Sequence, residues 1–380
     1  MLWCGGGPWF APLHTTRERP MYITSTVRLP SLTIGEFELN CFGMEPVLVP
    51  DQIIEPLGRT PFSGSIFAED VPEVFKKKYY KGCLEGTKGK KLLVIRYGGI
   101  GDIMWVLPAI QELKNRFGVI VRFACFEKDR ELFYESDLVD DVITTHYPTV
   151  NDVKWADYVL DFFDTVEGIG TDEAKVRNPV DINAEIIGYK IKEPVFKINI
   201  NAIEERRAKN ILISLGIKPD DKIIGFPLTA SSPHRTWYKQ AELIKMLLDY
   251  DKKIKIIVFG KENVDLLVTK IRDIKSDRIL DLSNTTSLRE FISLLNECNV
   301  VMSNDTSAVH LSAGLGKSVV AIYSTVPAYT RTSHYPTVAG IEVKKECSPC
   351  YKLSEHCPNI ESCLATINVE EVFNEIIKKL

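Results

Sequence analysis

The chain has 380 residues and a formal net charge of −4, which gives no electrostatic reason to expect nucleic acid as a partner. With 45% apolar and 26% charged residues it has the make-up of a water-soluble globular protein, long enough for two cores. No run approaches the ~18 uninterrupted apolar residues of a membrane span. The basic runs Lys76-Lys77-Lys78 and Lys252-Lys253 read as solvated surface that can still attract an anionic acceptor.

Residues 1–20 have no continuous apolar stretch of the kind an export signal needs, and they read as a non-native leader ahead of Met21. The expected compartment is then the cytoplasm, where nine cysteines are mostly reduced thiols or metal ligands. Residues 21–85 carry short β-like runs (22–29 and 45–49) broken by Pro and Gly, and form an appended module of unassigned fold. From residue 86 to 200 the pattern changes. The apolar run Lys91 to Tyr97 predicts a buried parallel strand, Gly98 to Asp102 a turn, and Ile103 to Phe117 a helix with Pro108 inside it. Further strands are predicted at 119–125, 141–145 and 157–162, and residues 193–201 read as an extended link.

A second alternating series fills residues 201–380. Strands are predicted at 222–227, 254–259, 278–281, 299–303 and 318–323, and helices at 202–215, 237–250, 262–274, 287–296, 307–315 and 369–379. The fold class that follows is α/β, with two Rossmann-like domains built on parallel sheets.

Three stretches could carry chemistry. In Gly98-Gly99-Ile100-Gly101-Asp102, glycines such as Gly99 and Gly101 permit a tight turn and close approach of a ligand to the backbone. The plain alternative is a βα turn with Asp102 as helix N-cap. The spacing is not that of a dinucleotide fingerprint, and no P-loop Lys-Ser/Thr follows. Thr229 to Trp237 is a polar loop after a strand; it includes Ser231 and brings Arg235 to the ligand-binding edge of the second sheet. Arginine suits phosphate through its bidentate fork. The third stretch, Ser303 to His310, clusters hydroxyls at a helix start, a seat for a diphosphate. There Asp305 suits sugar hydroxyls, with simple capping by Asp305 or Thr306 as the alternative.

Taken in this order and spacing, three segments resemble the ADP-heptose:lipopolysaccharide heptosyltransferases, glycosyltransferase family 9: IRYGGIGDIMWVLPAIQELK (95–114), LTASSPHRTW (228–237) and SNDTSAVHLSAGLGKSVVAIY (303–323). NPVDINAEIIGY (178–189) is similar to the family's end of the first domain, and the resemblance covers about residues 91 to 380. It implies a GT-B architecture, with an acceptor domain over 86–200 and a nucleotide-sugar domain over 201–380. It makes Asp102 the general base on the acceptor hydroxyl and Arg235, where many members have Lys, a contact to the donor phosphates. Asp305, Thr306 and Ser307 become the loop for donor sugar and diphosphate, with Ser307 where Gly is usual. His310 matches the family's histidine one turn into that helix, and Glu262 resembles a nucleoside-binding acid. The implied reaction is inverting transfer of a heptose from a nucleotide diphosphate sugar, with no cofactor or metal in catalysis. The acceptor is a lipopolysaccharide core or other glycan, lipid-linked or not. The rivals are transfer to a protein hydroxyl, a non-catalytic nucleotide-sugar-binding protein of the same fold, and a nicotinamide-dependent oxidoreductase.

Cys347, Cys350, Cys357 and Cys363 fall within seventeen residues, spaced C-x2-C-x6-C-x5-C between 347 and 363. A Cys-x-x-Cys pair with two further thiolates can close a tetrahedral Zn or Fe site, which would be structural because no position stays open for substrate. Some relatives in the resembling family carry a four-cysteine metal finger in this region. The plain alternative is a set of free or buried thiols.

Overall fold

The computed structural model describes residues 88–144, 148, 150–162, 173–228, 230, 235–261, 265–350 and 360–380, and the backbone of five strands between residues 21 and 70. Two compact units share the chain. One runs to Ala174 and takes in Pro179–Pro194; the other holds Lys175–Asn178 and Val195–Leu380.

In the appended segment, strand β1 (Met21–Ser25) pairs antiparallel with β4 (Val47–Val49) and β5 (Ile66–Asp70). The hairpin partners β2 (Ser31–Ile34) and β3 (Phe37–Asn40) lie between them in sequence. Three of these strands, β2, β3 and β5, were not foreseen from the sequence.

The first unit's main sheet has four strands, β6 (Lys91–Ile95), β7 (Ile120–Ala124), β8 (Asp141–Ile143) and β9 (Tyr158–Asp161), in spatial order β8-β7-β6-β9 and parallel throughout. Four of the five β6 residues are buried, as both-face burial of a parallel strand requires. The single helix expected over 103–117 is two helices, α1 (Ile100–Met104) and α2 (Leu107–Phe117). Pro108 explains the break, since it has no N–H for a helix interior and is accommodated in a first turn. The carbonyl of Trp105, stranded at the break, is taken by the buried side chain of Asn183, whose Nδ2 donates to it at 2.9 Å. Asn183 lies on a later helix, Pro179–Ile187, so the break is tied into the core.

The second unit has a six-stranded, all-parallel sheet in the order β12-β11-β10-β13-β14-β15. Its strands are β10 (Lys222–Pro227), β11 (Ile254–Phe259), β12 (Ile279–Asp281), β13 (Val300–Asn304), β14 (Ser318–Tyr323) and β15 (Val338–Glu342). The edge strand β15 was not foreseen. The crossover helices include Gln240–Tyr250, Leu288–Glu297 and Ser307–Gly314, and the C-terminal helix Val369–Lys379 packs Val372 and Ile376 into the same core. That core is built from Ile224, Phe226, Ile256, Val258, Val300, Met302, Val320 and Ile322. Because the chain winds from β10 outward to β12 and then restarts at β13, the order reverses between β10 and β13. Open α/β sheets bind ligands at such a reversal, at the carboxyl edge. Among the described residues no helix is long and apolar enough to cross a membrane.

Candidate active site

In the first unit the turn after β6 is shaped around Asp102. Gly98 has φ +133°, and a Cβ there would stand 2.8 Å from Asp102 Oδ2, so this position admits glycine and little else. Gly99 is the N-cap, and Gly101 is buried inside the first turn. Asp102 is the third helical residue rather than the cap, and its Oδ2 reaches back to accept the Gly99 N–H at 2.7 Å. Its Oδ1 lies 3.2 Å from Nη2 of the buried Arg96. One carboxylate is thus held by a backbone donor and a guanidinium while a fifth of its surface stays open. That arrangement fixes an acceptor of protons in space without sealing it from a substrate.

Sequence reading missed a second acid here. Asp129 follows β7, the strand beside β6, and is 2% exposed; its Oδ2 has no hydrogen-bond partner among the described residues. Burial, opposed by Lys128 and reinforced by the charge of Asp102, pushes its carboxyl up to about 6. In the sequence it sits in Glu127-Lys128-Asp129-Arg130, which looks like solvated surface. The neighbouring Cys125 thiol is pushed up to about 12, chiefly by burial, and is inert as a nucleophile.

In the second unit the reversal between β10 and β13 holds Arg235 and Asp305. Asn304, fully buried at the end of β13, donates through Nδ2 to Leu228 O at 2.7 Å and accepts the Trp237 N–H on Oδ1 at 2.9 Å. Gln240 Nε2 adds a second bond to the Leu228 carbonyl and one to the Trp237 carbonyl. These clamps set the path of the loop, and buried Trp237 anchors its end two residues beyond Arg235. Arg235 Nη1 then donates to the Asp305 carbonyl at 3.0 Å and lies 3.4 Å from its carboxylate. Thr306 caps helix Ser307–Gly314 by accepting the Ala308 N–H, and Ser303 Oγ lies 3.1 Å from its hydroxyl. Ser307 opens that helix, partly buried. His310 is buried, with Nδ1 3.1 Å from the Tyr335 hydroxyl.

Thr229, Ser231 and Glu262 lie outside the described residues. So does Cys357. Of its companions, Cys347 is exposed and Cys350 and Cys363 are partly buried. Among the described residues no three His, Cys, Asp or Glu side chains are grouped to hold a metal ion. Ser348, between the first two of these cysteines, donates to the carbonyl of Ser324, which follows β14.

Comparison with known proteins gives a consistent picture. The family model for glycosyltransferase family 9 (heptosyltransferase) matches residues 159–360. Lipooligosaccharide heptosyltransferase 2 of Haemophilus ducreyi is 27% identical over 147 residues, 36% of this chain and 41% of that protein. The matched stretch therefore spans well under half of that curated relative. A family 9 glycosyl transferase from Veillonella parvula superposes with a TM-score of 0.67 at 15% identity, over 78% of this chain and 99% of that one. The iron-containing dodecameric glycosyltransferase TibC from enterotoxigenic E. coli gives 0.57 at 10% identity, over 95% and 91%. At these identities the two structures speak for the fold, two Rossmann-like domains of the GT-B kind.

Proposed function

We propose, because this chain belongs to glycosyltransferase family 9, that it transfers a heptose from a nucleotide diphosphate donor to a hydroxyl of a lipopolysaccharide core or related glycan. The observation that supports this most is the Arg235–Asp305 pair at the reversal point of the second sheet, where a cation for phosphate and an acid for sugar hydroxyls stand together. Asp102 takes the acceptor's proton, and the hydroxyl oxygen attacks the anomeric carbon as the bond from that carbon to the diphosphate oxygen breaks. The transfer inverts the configuration, a course that needs the base on the face of the sugar opposite the departing diphosphate. Arg235 and the helix start at Thr306 and Ser307 stabilise the charge that develops on the departing diphosphate. Residues 86–200 serve the acceptor and 201–380 the donor, and catalysis needs no metal. The reaction runs in the cytoplasm, against lipid-linked acceptor at the inner membrane surface.

The test is to incubate pure protein with a panel of nucleotide sugars, with and without lipopolysaccharide core acceptor. Acceptor-dependent release of nucleoside diphosphate from the heptose donor is expected. Failure with every donor and acceptor would reject the reading.

A second reading keeps the donor and replaces the acceptor by a protein hydroxyl, with Zn or Fe closing the four-cysteine loop. The likeness over 95% of the chain to an iron-containing glycosyltransferase supports it, as does the cysteine spacing. Metal analysis of chelator-washed, reduced protein is expected to give about one equivalent per chain, lost in Cys350→Ser. Far less than one equivalent in the parent protein rejects the metal.

A further inference from the structure

Strand β14 delivers two hydroxyls to the carboxyl edge of the second sheet. Tyr323 is fully buried and its OH meets no partner among the described residues; Thr325 is 2% exposed and its Oγ1 meets none either. A buried hydroxyl left unpaired is costly, and two at the end of one strand ask for a ligand that completes them. Burial holds the Tyr323 hydroxyl well above its ordinary range; Asp305 after β13 and Tyr335 before β15 push the same way, and Arg331 before β15 and Arg235 after β10 oppose them.

Arg331 is the cation among these that no motif disclosed. It sits in a single helical turn, Tyr329–Thr332, whose position is fixed tightly. Buried Thr330 and Thr332 donate to Pro327 O and Ala328 O, both at 2.8 Å, and the Ala328 N–H donates to Glu342 Oε1 at 2.6 Å. Beneath the turn, a Cβ on Gly340 would fall 2.4 Å from the Ala328 Cβ, so this glycine of β15 lets the turn lie directly on the sheet. Arg331 is partly buried, with Nη1 3.2 Å from its neighbour's Thr330 Oγ1. The same Cβ on Gly340 would stand 3.6 Å from the Tyr323 ring, so the turn that carries Arg331 packs beside Tyr323.

We propose that Arg331 is a second phosphate-binding arginine of the donor site, which holds the diphosphate together with Arg235 and the hydroxyls of Tyr323 and Thr325. This rests on the donor-site reading above. Two guanidiniums gripping one diphosphate neutralise the charge that grows as the glycosidic bond breaks, so Arg331 contributes more to the transition state than to the ground state.

The test is titration calorimetry on the full chain with ADP, UDP, inorganic pyrophosphate and adenosine, for the parent, Arg331→Ala, Arg331→Lys and Gly340→Ala. Arg331→Ala should weaken nucleoside diphosphate and pyrophosphate binding about 10- to 100-fold and leave adenosine unchanged. Arg331→Lys should recover part of the loss. Gly340→Ala, which lifts the turn without touching a charge, should lose pyrophosphate affinity in the same direction. In the transfer assay Arg331→Ala should lower kcat more than it raises KM. A parent that binds none of the diphosphates would overturn the donor-site reading itself. A parent that binds them equally well after Arg331→Ala, with its fold intact by circular dichroism, would overturn this inference alone.

Discussion

At the residue scale, two carboxylates near one turn have opposite surroundings. Asp102 is held by Arg96 and the Gly99 N–H and keeps a fifth of its surface open, whereas Asp129 is shut in the protein with an unpaired oxygen. Asp102→Asn keeps the shape and removes the base. Transfer is expected to fall by about 10² or more with donor binding nearly intact; a variant with near-normal turnover removes Asp102 from the mechanism. Asp129 makes a different prediction. Its carboxyl is raised from 3.8 to about 6 in the folded state, so below both values the group is neutral in either state and costs nothing. As pH rises through that window the unfolded chain ionises first, and the folded state then carries a penalty of about 3 kcal/mol above pH 6. Asp129→Asn should therefore stabilise the protein in denaturant titrations at pH 8, with the gain shrinking steadily toward pH 4. A gain independent of pH, or a loss, contradicts the assignment.

At the element scale, the parallel strands were legible because burial on both faces leaves nearly continuous apolar runs, as in KLLVI and IKIIVF. Strand β15 was not, because VAGIE sits at an edge with only Ile341 fully buried, and its glycine serves close packing rather than strand propensity. The break at Pro108 was visible as a proline but not as two helices, since the residue that repairs it, Asn183, lies seventy-eight positions beyond the Trp105 carbonyl it takes. The three candidate stretches stand out in the sequence as Gly-rich or hydroxyl-rich turns after strands; Arg96, Asp129 and Arg331 do not, because what each one neighbours depends on the sheet order. Asn304 shows how an element positions chemistry it does not perform. It spans two backbone groups of the Arg235 loop from the end of β13. Asn304→Leu leaves the buried Trp237 N–H unpaired and takes one of two donors from the Leu228 carbonyl, which Gln240 still holds, and should cost about 1–3 kcal/mol. It should also weaken pyrophosphate binding although Asn304 carries no charge. If stability falls while pyrophosphate binds as before, the clamp supports the fold but not Arg235.

At the scale of the whole molecule, the two units each have their own parallel sheet and their own core, and their candidate chemistry is divided between them. Asp102 and Asp129 belong to one unit, and Arg235, Asp305, Arg331 and the cysteines at 347, 350 and 363 belong to the other. Units of this size with separate cores can melt as separate cooperative transitions. A ligand raises only the transition of the unit it binds, by RT ln(1 + [L]/Kd), about 2.7 kcal/mol at a hundredfold excess over Kd. Nucleoside diphosphate is therefore expected to move one calorimetric transition and Asp129→Asn, at pH 8, the other. Ser348 joins the cysteine loop to the Ser324 carbonyl, directly between Tyr323 and Thr325. Loss of order in that loop should then reach the donor site, so Cys350→Ser should lower the same transition that nucleoside diphosphate raises. It should also weaken pyrophosphate binding. Scanning calorimetry of the full chain at pH 8, with and without ADP or UDP, reads all three shifts at once. If Cys350→Ser moves the transition that answers to Asp129→Asn, or if diphosphate moves both equally, the division of labour argued from the two sheets is wrong.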